Sequence, residues 1–195
     1  MKIMLKLLPL IFFAGMNFSA LAQPKNGITV KVDAASGNYV ITSSSLRWTF
    51  GGSIGQAVSD LKQVTGKDAI GGYKSISFKW KSNNNYMGSI RWYAQQPVVI
   101  FGLTLPDGSQ EAPVIFPDFT SFPDLHHFSY HKHIFPLPQF FLEETSTPWL
   151  LFDNDKNAFI ISPASDFIVS KMTNNDSTTI SSGLNPEVKK LPAHF

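Results

Sequence analysis

The stretch ITVKVDAASGNYVIT, residues 28–42, decides the reading of the chain. Ile28, Val30 and Val32 alternate with Thr29, Lys31 and Asp33, so an extended segment here has one apolar and one polar face. Ala35-Ser-Gly-Asn38 supplies turn chemistry, and Tyr39-Val-Ile-Thr42 returns as a partner strand. The same pattern continues outward. Leu46, Trp48 and Phe50 alternate before Gly51-Gly52, then come residues 75–80, a turn at Asn83-Asn-Asn85, and strands over 87–94 and 98–105. Pro97 stands at the start of the last of these, where a missing N–H costs little. Residues 149–152 and 158–162 flank the polar loop Asp153-Asn-Asp-Lys-Asn157 as a hairpin, and 166–172 and 178–182 close the series.

Many short strands with turns between them predict an all-β fold, an antiparallel β-sandwich with at most one short helix. The one candidate helix is SIGQAVSDLKQVT, residues 53–65. Ile54, Val58 and Leu61 fall at helical spacing there, with Ser53 as a cap and Gly66 as a stop. An ordered loop fits the same residues.

The N-terminus, MKIMLKLLPLIFFAGMNFSALAQP, has a basic start at Lys2 and Lys6, an apolar run, and a small-x-small site at Ala20-Leu-Ala22. That is the layout of a secretory signal peptide over residues 1–22, and its apolar run is too short to span a bilayer. The expectation is a secreted or periplasmic protein with no membrane attachment after cleavage. Removing 22 of 195 residues leaves 195 − 22 = 173, and both leader lysines go, so 14 basic residues balance 14 acidic ones. A neutral chain gives no support for a nucleic-acid groove. With no cysteine in the sequence there is no disulfide framework, so the fold rests on its core. At this length a single domain over 23–195 is expected.

One segment departs from the strand rhythm. Residues 106–148 hold Pro106, Pro113, Pro117, Pro123, Pro136, Pro138 and Pro148, with Phe116, Phe119, Phe122, Phe128, Phe135, Phe140 and Phe141. Proline disfavours central strands and helix interiors, which predicts a long ordered excursion or edge structure. Its phenylalanines need a surface to pack on.

The same segment carries HHFSYHKH, residues 126–133, four of the five histidines. On a strand His131 and His133 would share a face, and His126 or His127 could add a third nitrogen, the weak metal candidate being His126, His131 and His133. A polar strand face and a ligand- or interface-facing loop are the competing readings. Among the acids, Glu143 and Glu144 would point to opposite faces of a strand and make a poor glycosidase pair. Asp153-x-Asp155-x-Asn157 imitates the start of a calcium loop but lacks the next glycine and the twelfth-position glutamate, where Ala158 and Ala164 stand. No nucleophile elbow, phosphate loop or dinucleotide fingerprint occurs, and no cofactor is expected. Trp92, Tyr93 and Trp149 are amphipathic surfaces of the kind that stack on sugars, and adjacent Trp92 and Tyr93 must face opposite ways on a strand.

GSIRWYAQQPVVIFGLTL (88–105), PWLLFDNDKNAFIISPASDF (148–167) and ISSGLNPEVKKLPAHF (180–195) resemble the N-terminal β-sandwich of secreted bacterial glycoside hydrolases. That domain is similar to the galactose-mutarotase sandwich and precedes a catalytic (β/α)₈ barrel. The resemblance implies a chain without its catalytic barrel, possessing no catalytic residue of its own. It further implies that the Pro/Phe/His segment packs against a partner domain, with histidines at the rim of a sugar pocket. The expected ligand-binding residues are Trp92, Tyr93, His126, His131 and Trp149, and the expected partner a carbohydrate or an adjacent catalytic domain. A stand-alone carbohydrate-binding module and a small His-dependent metalloenzyme are the alternatives.

Overall fold

The computed structural model describes residues 27–110, 115–130, 138–139, 148–173, 179–185, 187–188 and 190–195. Fourteen strands run through them: β1 Ile28–Val32, β2 Asn38–Ser43, β3 Trp48–Ser53, β4 Ser59–Lys67, β5 Gly72–Lys81, β6 Asn85–Tyr93, β7 Val99–Thr104, β8 Ile115–Ser121, β9 His126–Tyr130, β10 Pro138–Gln139, β11 Trp149–Phe152, β12 Ala158–Ile161, β13 Ser170–Thr173 and β14 Ile180–Leu184. They form three antiparallel sheets, ordered β1-β2-β3-β8-β14-β13, β4-β5-β6-β7 and β10-β9-β11-β12. The protein is an all-β antiparallel sandwich.

The core follows from side-chain parity. On β2, Tyr39 and Ile41 are buried while Val40 between them is exposed. On β5, Ile76, Phe78 and Trp80 point inward, and on β6 Tyr86, Ile90 and Trp92 do the same. The rings interlock across the gap: Tyr39 lies 6.1 Å from Phe101, and Phe116 packs edge-on to Phe78 at 5.9 Å. The third sheet covers the end of β3, where Phe159 meets Trp48 at 5.6 Å and Phe50 at 5.1 Å. One polar contact crosses this core. The Tyr39 hydroxyl accepts a hydrogen bond from the Asp118 N–H at 2.7 Å and donates to the Asp118 carbonyl at 2.9 Å. Burial pushes its phenol well above the usual tyrosine range.

Three expectations need correction. No helix occurs among the described residues, and the candidate helix 53–65 is instead a turn followed by β4. Val64 and Thr65 are β-branched and suit an extended chain, and β4 pairs with the ten-residue β5 from Lys62↔Ser77 to Lys67↔Gly72. Second, the proline-rich segment is not all excursion: β8 lies inside the six-stranded sheet, between β3 and β14. Pro117 is tolerated because the ladder with β14 is interrupted there, between Ser181 and Gly183. Phe116 and Phe119 are consequently part of this protein's own core and unavailable to a partner. Third, residues 166–169 form a turn closed by bonds from the Val169 and Ser170 N–H groups to the Asp166 carbonyl, so the strand starts only at Ser170. The expected signal peptide, residues 1–22, lies outside the described residues, as do Phe135, Phe140, Phe141, Glu143 and Glu144.

Candidate functional site: the outer face of the third sheet

The sequence PWLLF at 148–152 is apolar at both parities, and so is AFII at 158–161. In a sheet this means that both faces carry apolar side chains. The inner set, Trp149 and Leu151, is fully buried. The outer set is Leu150 and Phe152, and their cross-strand partners complete one surface: Leu150 pairs with Phe128 and Ile160, Phe152 with His126 and Ala158. Ile160 is 66% exposed. A recess of about 430 Å³ opens on this face, lined by Phe128, Leu150, Phe152, Asp153, Lys156, Asn157 and Ala158.

The polar residues at its end are mostly engaged in building the hairpin loop. Asp153 Oδ1 accepts from the N–H groups of Asp155 at 2.8 Å and Asn157 at 2.9 Å, while Oδ2 accepts from the Asn157 side-chain amide at 2.9 Å. The Asn157 amide and these backbone donors hold the Asp153 carboxyl below the usual carboxylate value. A carboxylate so saturated is a loop-builder rather than a general base. His126 lies 5.3 Å from the Phe152 ring, and its Nε2 is 3.0 Å from the Asn154 side-chain oxygen. That oxygen only accepts, so Nε2 carries the proton of the bond.

The residues expected to bind ligand are distributed otherwise than expected. Trp92 is 7% exposed, on the inner face of β6 among the core residues. Trp149 has no exposed surface at all. Tyr93 does face outward, opposite to Trp92, yet it is only 1% exposed, because Tyr73 packs against it at 6.0 Å and its hydroxyl donates to Asp68 Oδ2 at 2.7 Å. None of the three presents a free ring to a sugar. His126 alone of the expected set is on an accessible face, and His131 and His133 lie outside the described residues. His126 and His127 point to opposite sides of β9, since His127 pairs with buried Leu151, and the buried His127 Nδ1 has no hydrogen-bond partner among the described residues. Among the described residues no three of His, Cys, Asp and Glu come together as a metal site would require. Phe128 belongs to the segment whose phenylalanines were expected to pack on a partner, whereas Leu150, Phe152 and Ile160 escaped the sequence reading, although the apolar residues at both parities of 149–152 were the available signal.

Compared with known proteins, the chain matches no family model, no curated protein and no solved structure.

Proposed function

We propose that this chain is a non-catalytic β-sandwich module of an exported, carbohydrate-active protein, and that it docks on an adjacent catalytic domain through the outer face of β9, β11 and β12. The observation that carries this reading is the outward-facing apolar surface formed by Leu150, Phe152, Ala158 and Ile160, of which Ala158 and Ile160 are exposed and Leu150 and Phe152 half-buried. Contiguous apolar surface of this kind, edged by polar groups, marks a protein interface more often than a sugar site. A sugar site needs hydrogen-bonding groups around the ring, and this recess has them at one end only, at Asp153, Lys156 and Asn157, with Phe128, Leu150, Phe152 and Ala158 making up the rest of its lining. The glycoside-hydrolase resemblance of residues 88–105, 148–167 and 180–195 supplies the carbohydrate context and the kind of partner, a (β/α)₈ barrel that holds the catalytic carboxylates. His126 then sits at the rim of the interface.

Two measurements test this together. The purified chain should turn over no aryl glycoside, and it should bind a hydrophobic dye in its folded state. Leu150→Lys with Ile160→Lys should abolish the dye signal while leaving the unfolding midpoint nearly unchanged. Turnover by the chain alone sinks the non-catalytic reading, and dye binding that survives both lysines sinks the docking face.

A further inference from the structure

A second recess, of about 310 Å³, lies at the turn between β5 and β6, where that turn meets the β7–β8 connection. Its lining includes Lys81, Asn83, Asn84, Asn85, Asp107 and Ser109. Its chemistry is the reverse of the docking face, with amides, a hydroxyl, one ammonium and one carboxylate.

The walls are fixed in place by the protein itself. The Asn85 side-chain amide donates to Asp107 Oδ2 at 2.7 Å, joining the two turns. The Asn84 amide reaches Ser109 Oγ at 3.2 Å and the Tyr86 hydroxyl at 3.3 Å. Ser109, 3% exposed, is anchored by reciprocal backbone bonds with Leu191 at 3.1 and 2.9 Å. Gly108 has φ +72°, and a Cβ there would stand 2.4 Å from the Leu191 carbonyl oxygen, so the C-terminal segment is pressed against the turn and admits only glycine. Asn84 thus spends both side-chain N–H donors on the scaffold and Asn85 one of its two. Their side-chain carbonyl oxygens take no part in these bonds and remain as acceptors, and the Asp107 carboxylate and the Lys81 ammonium line the same recess.

We propose that this recess binds one neutral sugar residue through its hydroxyl groups. Hydroxyls donate to the Asn84, Asn85 and Asp107 oxygens and accept from the Lys81 ammonium, a division of roles that a polyol satisfies and an apolar or strongly charged ligand does not. One carboxylate with a lysine beside it is a poor cage for a divalent cation, which asks for six to eight oxygens. The volume is at the small end of ligand pockets, enough for a single ring. The site lies on other elements than the docking face, so either proposal fails or stands without the other.

The test is a titration of the full chain with glucose, galactose, mannose and N-acetylglucosamine, followed by amide chemical shifts. The expected result is saturable shifts confined to residues 81–85 and 107–110 for at least one sugar, with a Kd of about 1 mM. Asp107→Asn keeps an oxygen that can accept from Asn85, and Lys81→Gln leaves the loop bonds untouched. Each should weaken binding about tenfold with the unfolding midpoint unchanged. No saturable shift with any of the four sugars overturns the proposal. So do shifts centred on Phe152, undiminished binding in both variants, or the same shifts produced by calcium alone.

Discussion

Two sheets of this protein turn an outer face away from the core, and the two faces are finished differently. On the β4–β7 sheet, the outward residues of β6 are Asn85, Met87, Ser89, Arg91 and Tyr93, so only Met87 lacks a polar group. Across from them β5 presents Tyr73, Ser75 and Ser77. The rings there are sealed. The Arg91 guanidinium lies 4.4 Å over the Tyr73 ring, and the Tyr73 ring occupies the space that a side chain at its cross-strand partner Gly66 would need, 2.6 Å from where a Cβ would be. On the β9–β12 sheet the corresponding positions carry the apolar side chains Phe128, Leu150, Phe152 and Ile160. The first face is finished with polar groups; the second presents apolar side chains, the surface proposed above for docking. Aromatic content does not separate the two, because both faces have rings. What separates them is the polar network of Asp68, Arg91 and Tyr93 that ties the rings of the β4–β7 sheet to charged groups.

The sharpest way to break the comparison uses neighbours on one strand. Leu151→Ala removes a fully buried side chain and should cost about 2–5 kcal/mol in chemical denaturation. Leu150→Ala, one residue away on the outer face, should cost less than about 1 kcal/mol, since the site is already open to solvent. Equal costs would mean that the outer face is covered in solution, and the docking proposal would lose its surface.

Much of this fold is legible where a strand has one wet face and one dry face. The alternation of Ile28, Val30 and Val32, and of Trp48 and Phe50, reports directly on burial. β4 was not legible for the opposite reason. Seven of its first seven residues are exposed, so neither face is dry and no period of two is imprinted; pairing with β5 decides its conformation. In β8 the signal was present in Phe116 and Phe119 but was masked by Pro117, whose place at an interrupted ladder cannot be seen without the partner strand. The site suffered from a related ambiguity. Trp92, Tyr93 and Trp149 stood out as ring-bearing residues, but a sequence does not say which rings are covered, and these three are. The face proposed for docking was written in the apolar outward residues Leu150 and Phe152, which carry no functional signature until the hairpin's second face is known.

The sealed face can be opened in turn. Tyr73→Ala uncovers Gly66 and removes both the contact with Tyr93 and the support for Arg91. A loss of about 1–2 kcal/mol is expected, measured by urea denaturation. It should be accompanied by new dye binding, because the face would then resemble its counterpart. A variant that loses stability without gaining dye binding would show that Tyr73 acts only as a structural prop.

A smaller effect belongs to Asp68, which ties the β4–β5 turn to β6. It accepts from Tyr93 at 2.7 Å, from Arg91 at 3.0 Å, and from the N–H groups of Ile70 and Gly71 at 2.9 and 3.2 Å. The Tyr93 hydroxyl foremost, with the backbone donors and Arg91, lowers its pKa in the folded protein. A lowered carboxyl stabilises the fold above the unfolded value of about 3.9, and that contribution disappears as pH falls through the folded-state value. Asp68→Asn should therefore lower the unfolding midpoint at pH 7, and the gap to the parent should close below about pH 4. A gap that persists in acid would assign the loss to altered turn geometry instead of charge.

The smallest expected effect is at the rim of the same sheet, where Lys79 Nζ lies 2.9 Å from Asp60 Oδ2 with both side chains more than half exposed. Water and salt screen such a pair, and holding two mobile side chains together costs entropy that cancels most of the attraction. Lys79→Ala should leave the unfolding midpoint unchanged within error at any ionic strength. The polar seal on this face would then rest on the Asp68–Arg91–Tyr93 network, whose members are less exposed than the rim pair. A clear, salt-sensitive loss at Lys79 would instead extend the seal to the edge strand. β4 would then be held in place by charge as well as by its backbone ladder with β5.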